Sequence, residues 1–304
     1  MKAKSLISIS DLSSDDIPSL IDTAIQLKGK RTSSVLAGKV LALLFEKPSL
    51  RTKVSLDVAM YQLGGHAIYV GEKEVGLGER EPVADVARVL SRYVDAIAAR
   101  TFSHESVKEL AEHATIPVIN ALSDREHPCQ ALADLLTIYE NKGKLKKINL
   151  AYIGDGNNVA SSLLLASAMV GMNISIASPR GYWVNAVIEY EARSFGEASG
   201  SKISLTDDPQ VAVKGADVVY TDVWASMGHE DEAVQRQSVF SDYQVNKRLL
   251  SFAKSDAIIM HDLPAHYGEE VEVGVLDSAQ SVVFDQAENR LHTQKAVLVK
   301  LLTG

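Results

Sequence analysis

Short apolar runs alternate with stretches of helical periodicity along the whole of this 304-residue chain, and that rhythm constrains the fold more than any other feature. Near-continuous apolar runs of this length read as strands buried on both faces, which is the signature of parallel sheets. In the first half, residues 39–45 (KVLALLF), 66–70 (HAIYV), 94–99 (VDAIAA) and 117–121 (PVINA) predict four strands. Helices are expected up to about residue 63, from about Pro82, from an N-cap at Ser103 to about residue 113, and over about 128–139. The polar stretch 141–147 marks a boundary between a domain of residues 1–140 and one of residues 141–304. In the second half, residues 148–153, 173–177, 202–205, 217–221, 257–260 and 281–284 predict strands separated by helical stretches. Such alternation predicts an α/β chain of two doubly wound parallel-sheet domains in series. A C-terminal helix over 289–302 packs back on the first domain, with about 286–304 returning to it.

Composition narrows what such a chain does. Acidic residues outnumber basic ones, 39 to 31, and no basic run stands out, so a nucleic-acid surface is not expected. An anionic ligand must then be held by a few local cations and backbone N–H groups. Cys129 is the only cysteine, which rules out an intrachain disulfide and suits a reducing compartment. The first residues, MKAKSLISISDLSSDD, lack the apolar core of roughly 7–15 residues that a secretory signal needs. No apolar run approaches the ~20 residues that cross a bilayer. The expectation is a cytoplasmic protein with no membrane partner.

In open parallel sheets, ligands bind beyond the carboxyl ends of the strands, and the polar residues of interest fall there. Glu46-Lys47-Pro48-Ser49-Leu50-Arg51-Thr52 follows the first strand and runs into a helix, whose unpaired N–H groups suit a phosphate. Ser49 and Thr52 add hydroxyls and Arg51 a forked cation; the alternative is an N-cap beside a solvated arginine. Arg100 ends the third strand, where an arginine is commonly a surface residue. His127-Pro128-Cys129-Gln130 opens a helix after the fourth strand; the histidine can donate to a carbonyl oxygen and Gln130 shares its helix face, or the segment is only a capped helix start. Asp222, in Asp222-Val223-Trp224-Ala225-Ser226-Met227-Gly228, can bind an ammonium group or close a turn. His261-Asp262-Leu263-Pro264 and Glu288-Asn289-Arg290 stand at comparable positions, with a proline turn and a surface arginine as the plain readings.

Gly154-Asp155-Gly156-Asn157-Asn158 resembles the start of a dinucleotide fingerprint, but Val159 replaces the third glycine. The next strand ends at Ala177-Ser178-Pro179-Arg180 without an acid for a ribose, leaving Arg180 as the one support for an NADP-linked reading. His261 and Asp262 are adjacent, and no other His, Cys, Asp and Glu set has ligand spacing, so no metal is expected. Neither a GxSxG elbow nor a GxxxxGK[ST] loop is present.

Taken in order, SLRT at 49–52, RTF at 100–102, HPCQ at 127–130, GDGNN at 154–158, DVWASMG at 222–228, HDLP at 261–264 and ENR at 288–290 resemble the aspartate/ornithine carbamoyltransferase family over residues 6–302. The DVWASMG loop and the tail SVVFDQAENR are similar to its ornithine branch. The resemblance implies transfer of the carbamoyl group of carbamoyl phosphate to the δ-amine of L-ornithine, giving L-citrulline and phosphate in arginine biosynthesis, with neither cofactor nor metal. It implies that Ser49, Leu50 through its backbone, Arg51, Thr52 and Arg100 hold the phosphate. His127, Gln130 and Arg290 would surround the carbamoyl group, with the Leu263 carbonyl accepting from its NH₂. Asn158, Asp222, Ser226 and Met227 would hold the amino acid. A homotrimer with sites at subunit interfaces, and domain closure over the substrates, are implied as well.

Three departures stand out. Family members read STRT where Leu50 occurs here, which removes a hydroxyl but keeps a backbone N–H. The glutamine that a neighbouring subunit contributes in the family aligns with Gly76. The ornithine enzymes read HCLP, so Asp262 sets a carboxylate in the cysteine's place beside the reacting amine. These leave two alternatives standing: a carbamoyltransferase with another amine acceptor, or a non-catalytic paralogue.

Overall fold

Two parallel sheets, of four and five strands, organise the computed structural model, which describes residues 4–30, 32–225 and 230–303. The chain divides into unit 1, Met1–Leu136 with Glu288–Gly304, and unit 2, Thr137–Ala287.

The strands of unit 1 are β1 (Val40–Phe45), β2 (His66–Val70), β3 (Ala96–Arg100) and β4 (Val118–Leu122), ordered β2-β1-β3-β4 and parallel throughout. Leu41 to Phe45 are all buried, as an inner strand covered on both faces requires. Around them lie α1 (Asp16–Lys28), α2 (Leu50–Gln62), α3 (Glu72–Val75), α4 (Val83–Leu90), α5 (His104–His113) and the start of α6 (Pro128–Lys142). α1 buries Ile17, Leu20, Ile21 and Ala24, a single stripe at helical spacing. The hydroxyls of Ser49 and Ser103 cap α2 and α5 by accepting from the Thr52 and Glu105 N–H groups.

Unit 2 holds β5 (Asn149–Ile153), β6 (Asn173–Ala177), β7 (Ile203–Thr206), β8 (Val218–Thr221) and β9 (Ile258–His261), in the parallel order β7-β6-β5-β8-β9. Its helices are the end of α6, α7 (Asn158–Val170), α8 (Ala186–Ser199), α9 (Pro209–Val213), α10 (Ala233–Phe240) and α11 (Lys247–Leu250). α7 buries every residue from Asn158 to Met169, so it is a core helix covered on all sides and not an amphipathic surface helix.

The last helix, α12 (Val283–Thr303), supplies the segment that returns to unit 1. There the buried Lys295 donates to the Leu27 carbonyl at 2.9 Å and to Gln62 Oε1 at 3.1 Å. Strand formation over 281–284 does not occur. Ser281 makes one bridge to Ile259, the Val282 N–H donates to the Ile259 carbonyl, and α12 starts at Val283. The apolar run SVVF is the lead-in to a helix, since Val283 and Phe284 are already its first two residues. Chain order explains where ligands belong. β1 connects to β2 on one side while β3 lies on the other, and β5 stands in the same relation to β6 and β8. Each sheet therefore has a switch point at which its carboxyl ends open a crevice.

Candidate functional site

At the switch point of unit 1, β1 leads through Glu46 and Lys47 into α2, while β3 ends on Arg100. Phe45 is the register partner of Arg100, so both exits lie on one sheet edge. The Glu46 N–H donates to the Arg100 carbonyl at 2.9 Å, and the Phe102 N–H donates to Glu46 Oε2 at 2.8 Å. Burial, with Glu79 and Glu72 adding to it, raises the Glu46 carboxyl above its ordinary pKa against the pull of the Phe102 N–H. Lys47 lies over the Phe102 ring, 4.6 Å from its centre.

Ser49 is the N-cap of α2, Leu50 is exposed, Arg51 is half-buried on the first turn, and Thr52 is buried. From α12, Arg290 donates through Nη2 to Thr52 Oγ1 at 2.6 Å and through Nη1 to Gln130 Oε1 in close contact. Gln130 Nε2 in turn donates to Asp134 Oδ1 at 2.8 Å, one turn along α6. Thr52, Gln130, Asp134 and Arg290, separated in sequence by up to 238 positions, thus form one buried hydrogen-bonded network. His127 is buried at the start of α6, where its carbonyl accepts from the N–H groups of Gln130 and Ala131. Arg100 is half-buried at the sheet edge. Cys129, beside them in sequence, is pushed up to about 12 by burial, so it is a packing residue and not a nucleophile.

In unit 2 the turn after β5 and the segment after β8 meet. Asn157 caps α7, accepting from the Val159 and Ala160 N–H groups, and its Nδ2 donates to Asp222 Oδ2 at 2.7 Å. Sequence reasoning singled out Asn158, which is buried in the first turn of α7; the residue that holds Asp222 is its neighbour. Gly156 is demanded by close approach, since a Cβ there would meet the Val184 nitrogen at 2.3 Å. Asp222 is buried, and burial with the charge and hydrogen bond of Asp262 raises its pKa well above the usual carboxylate range, with His261 and Asn157 opposing. Two carboxyls in contact cannot both ionise cheaply, so Asp222 is held toward its protonated form. Ser226 and Met227 lie outside the described residues.

His261 ends β9 fully buried, with Nε2 3.1 Å from Glu270 Oε1 and Nδ1 3.5 Å from Asp262 Oδ1. Burial lowers its pKa, but its bonds to Asp262 and Glu270 outweigh that and lift it to about 9. Against a charged ring stands the Leu263 N–H, which donates to Nδ1 from 2.9 Å. A nitrogen that accepts has no proton, and this contact is shorter than the one to Asp262. Nδ1 therefore accepts from the nearer group, the Leu263 N–H, and Nε2 carries the proton that faces Glu270. Leu263 itself is in the left-handed region, at φ 57°, which turns the chain so that its N–H reaches back to the ring.

Two groups of potential metal ligands occur among the described residues: Asp222 with His261 and Asp262, and His266 with Glu269 and Glu270. In the first, both ring nitrogens of His261 are engaged by Leu263 and Glu270. In the second, His266 faces Glu269 at 3.8 Å as an exposed pair.

Both halves of the chain match described domains. Residues 4–140 match the aspartate/ornithine carbamoyltransferase carbamoyl-P binding domain, and residues 146–301 the Asp/Orn binding domain of the same family. An ornithine carbamoyltransferase of Anoxybacillus flavithermus is 54% identical over 306 residues, covering 99% of this chain and 98% of that protein. An anabolic ornithine carbamoyltransferase of Pyrococcus furiosus is 50% identical over 100% of this chain and 98% of its own length. The solved ornithine carbamoyltransferase structure from Pyrococcus furiosus superposes with a TM-score of 0.96 at 50% identity, covering 99% of this chain and 97% of that one. The Thermus thermophilus structure gives 0.91 at 48% identity, covering 99% and 100%.

Proposed function

The chain belongs to the aspartate/ornithine carbamoyltransferase family, and from that premise we propose that it transfers the carbamoyl group of carbamoyl phosphate to the δ-amine of L-ornithine. The products are L-citrulline and phosphate, and the step serves arginine biosynthesis. Full-length likeness to ornithine carbamoyltransferases at 50–54% identity carries this reading.

In unit 1, Ser49, the Leu50 backbone, Arg51, Thr52 and Arg100 hold the phosphate, and His127, Gln130 and Arg290 surround the carbamoyl group. The neutral amine's lone pair attacks the carbonyl carbon, a C–N bond forms, the bond from that carbon to the phosphate oxygen breaks, and one amine proton passes to the departing phosphate. Negative charge gathers on the carbonyl oxygen and then on phosphate. A guanidinium already fixed by Thr52 and Gln130, as that of Arg290 is, needs no reorganisation to meet that charge. In unit 2, Asn158, Asp222, Ser226 and Met227 hold the amino acid's α-groups, and Asp262 and the Leu263 carbonyl lie toward the reacting end. An ammonium bound beside Asp222 and Asp262 favours their ionised forms, so acceptor binding works against the raised pKa of Asp222.

Citrulline formation from carbamoyl phosphate, measured over a panel of ornithine, putrescine, lysine and aspartate, tests the reading. Ornithine should be the preferred acceptor. Citrulline absent, or another amine preferred, overturns it. Asp262 in the place of the family's cysteine is the observation behind the second reading, a carbamoyltransferase for a different amine. The cellular setting we infer is the cytoplasm, supported by the single buried Cys129 and by the absence, among the described residues, of a helix long and apolar enough to cross a membrane. We infer a homotrimer from the family's shared sites.

A further inference from the structure

Arg236 belongs to none of the motifs read from the sequence. It lies on α10, 4% exposed, and its guanidinium is committed to four groups. Nη1 donates to Asp155 Oδ2 at 2.7 Å and to the Trp224 carbonyl at 2.9 Å. Nε donates to Glu232 Oε2 at 2.9 Å, and the guanidinium carbon sits 4.9 Å from the centre of the Tyr182 ring.

Three of these partners come from three different strand exits. Asp155 is in the turn after β5, two residues before Asn157. Trp224 follows β8, two residues after Asp222. Tyr182 follows β6, and its carbonyl accepts from the Gly156 N–H at 2.8 Å. A single side chain therefore fixes the turn that carries Asn157 against the segment that carries Asp222. The Asn157–Asp222 hydrogen bond at 2.7 Å is the other tie between them.

A buried ion pair seldom stabilises a fold more than well-packed apolar groups of the same volume. The Arg236–Asp155 pair, with side chains 5% and 10% exposed, contributes what apolar groups cannot: directional bonds that set the spacing of two turns. Among the described contacts, none joins Arg236 directly to Asp222 or Asn157.

We infer that Arg236 is a positioning residue for the amino-acid substrate, holding the Asp222 segment and the 154–158 turn at the separation that the acceptor's binding requires. The inference rests on the carbamoyl-transfer reading above. Its test is steady-state kinetics of citrulline formation, varying each substrate in turn, with thermal unfolding measured on the same proteins. Arg236→Lys keeps the charge but cannot reach Asp155, Trp224 and Glu232 together. Its KM for ornithine should rise about tenfold, the worth of one charge-assisted hydrogen bond, while KM for carbamoyl phosphate stays within about twofold. Phe240→Leu is the comparator, because Phe240 stacks on the Trp224 ring without bonding either turn. It should lower the melting temperature and leave both KM values within about twofold.

An Arg236→Lys enzyme with unchanged ornithine KM, or with both KM values raised alike, overturns the inference. Should that variant not accumulate in soluble form, Asp155→Asn carries the same expectation, and wild-type ornithine KM there overturns it equally. Absence of citrulline from the wild-type enzyme instead strikes the functional reading itself.

Discussion

A lone guanidinium discriminates well between charge and shape, and Arg51 is where that matters for the donor. If it clamps the phosphate of carbamoyl phosphate, Arg51→Lys should lower kcat/KM for carbamoyl phosphate by about tenfold or more despite keeping the charge, because the planar fork is lost. Wild-type turnover would remove Arg51 from the site. At the proposed acceptor end, Asp262 hydrogen-bonds Asp222, and if it faces the acceptor it sets a carboxylate beside the amine. A carboxylate near an ammonium favours the charged form, so the rate should rise to a more alkaline plateau in the wild type than in Asp262→Cys. Coincident kcat–pH profiles would mean that Asp262 does not act on the amine. The same pair has a stability signature. The pKa of Asp222 is raised on folding, so the folded state holds a proton that the unfolded chain gives up near ~3.9. Its contribution is fully present below that value and is lost as pH rises toward and through the raised folded value. Asp222→Asn should therefore melt higher than wild type at pH 8 and show a flatter melting profile from about pH 4 upward. Equal slopes for the two proteins would contradict the raised pKa of Asp222.

Elements set the spacing of these residues, and the 154–158 turn is the sharpest instance. The loop after β6 crosses so close to it that a Cβ on residue 156 would lie 2.3 Å from the Val184 nitrogen and 2.4 Å from the Trp183 carbonyl carbon. Backbone cannot swing aside as a side-chain tip does. Gly156→Ala should thus destabilise by at least about 3 kcal/mol, readable as a lower melting temperature, and should weaken ornithine binding as the turn moves. A variant that melts with the wild type would show that the loop yields freely. α2 and α12 illustrate a second role of elements. Ser49 fixes where α2 starts, Lys295 of α12 closes on the last turn of α1, and Arg290 is thereby carried to Thr52 and Gln130.

For the whole molecule, unit 1 corresponds largely to the family's carbamoyl-P binding domain and unit 2 to its Asp/Orn binding domain, while Leu263, proposed for the donor's NH₂, lies in unit 2. If Gly76 occupies the place of the family's shared glutamine, a trimer here forms with one fewer polar group offered to a neighbour's site. Light scattering under assay conditions should give three times the 32.9 kDa chain mass. A fully active monomer would contradict the trimer.

Much of this was written in local pattern. Nine of the ten expected strands form, to within two residues at either end, because a strand buried on both faces needs an unbroken apolar run and little else does. Ser103 announced its helix because a hydroxyl before a helix answers unpaired N–H groups within its own turn, whereas at 49–52 a cap was one of two readings and Ser49 supplies it. The order of motifs likewise sufficed to place most candidate residues at strand exits. What the sequence could not carry was any choice between equivalent neighbours or distant partners. Residues 281–284 have strand composition, yet they become the approach to a helix because the adjoining chain pairs them only once. Asn157 and Asn158 are alike on paper, and only the crossing of the β5 and β8 exits selects Asn157 to hold Asp222. Arg236, Glu270 and Asp155 look like solvated charges in sequence. Burial against partners up to about 80 positions away turns them into fixed geometry, because the cost of burying a charge is met only by contacts that long-range folding creates.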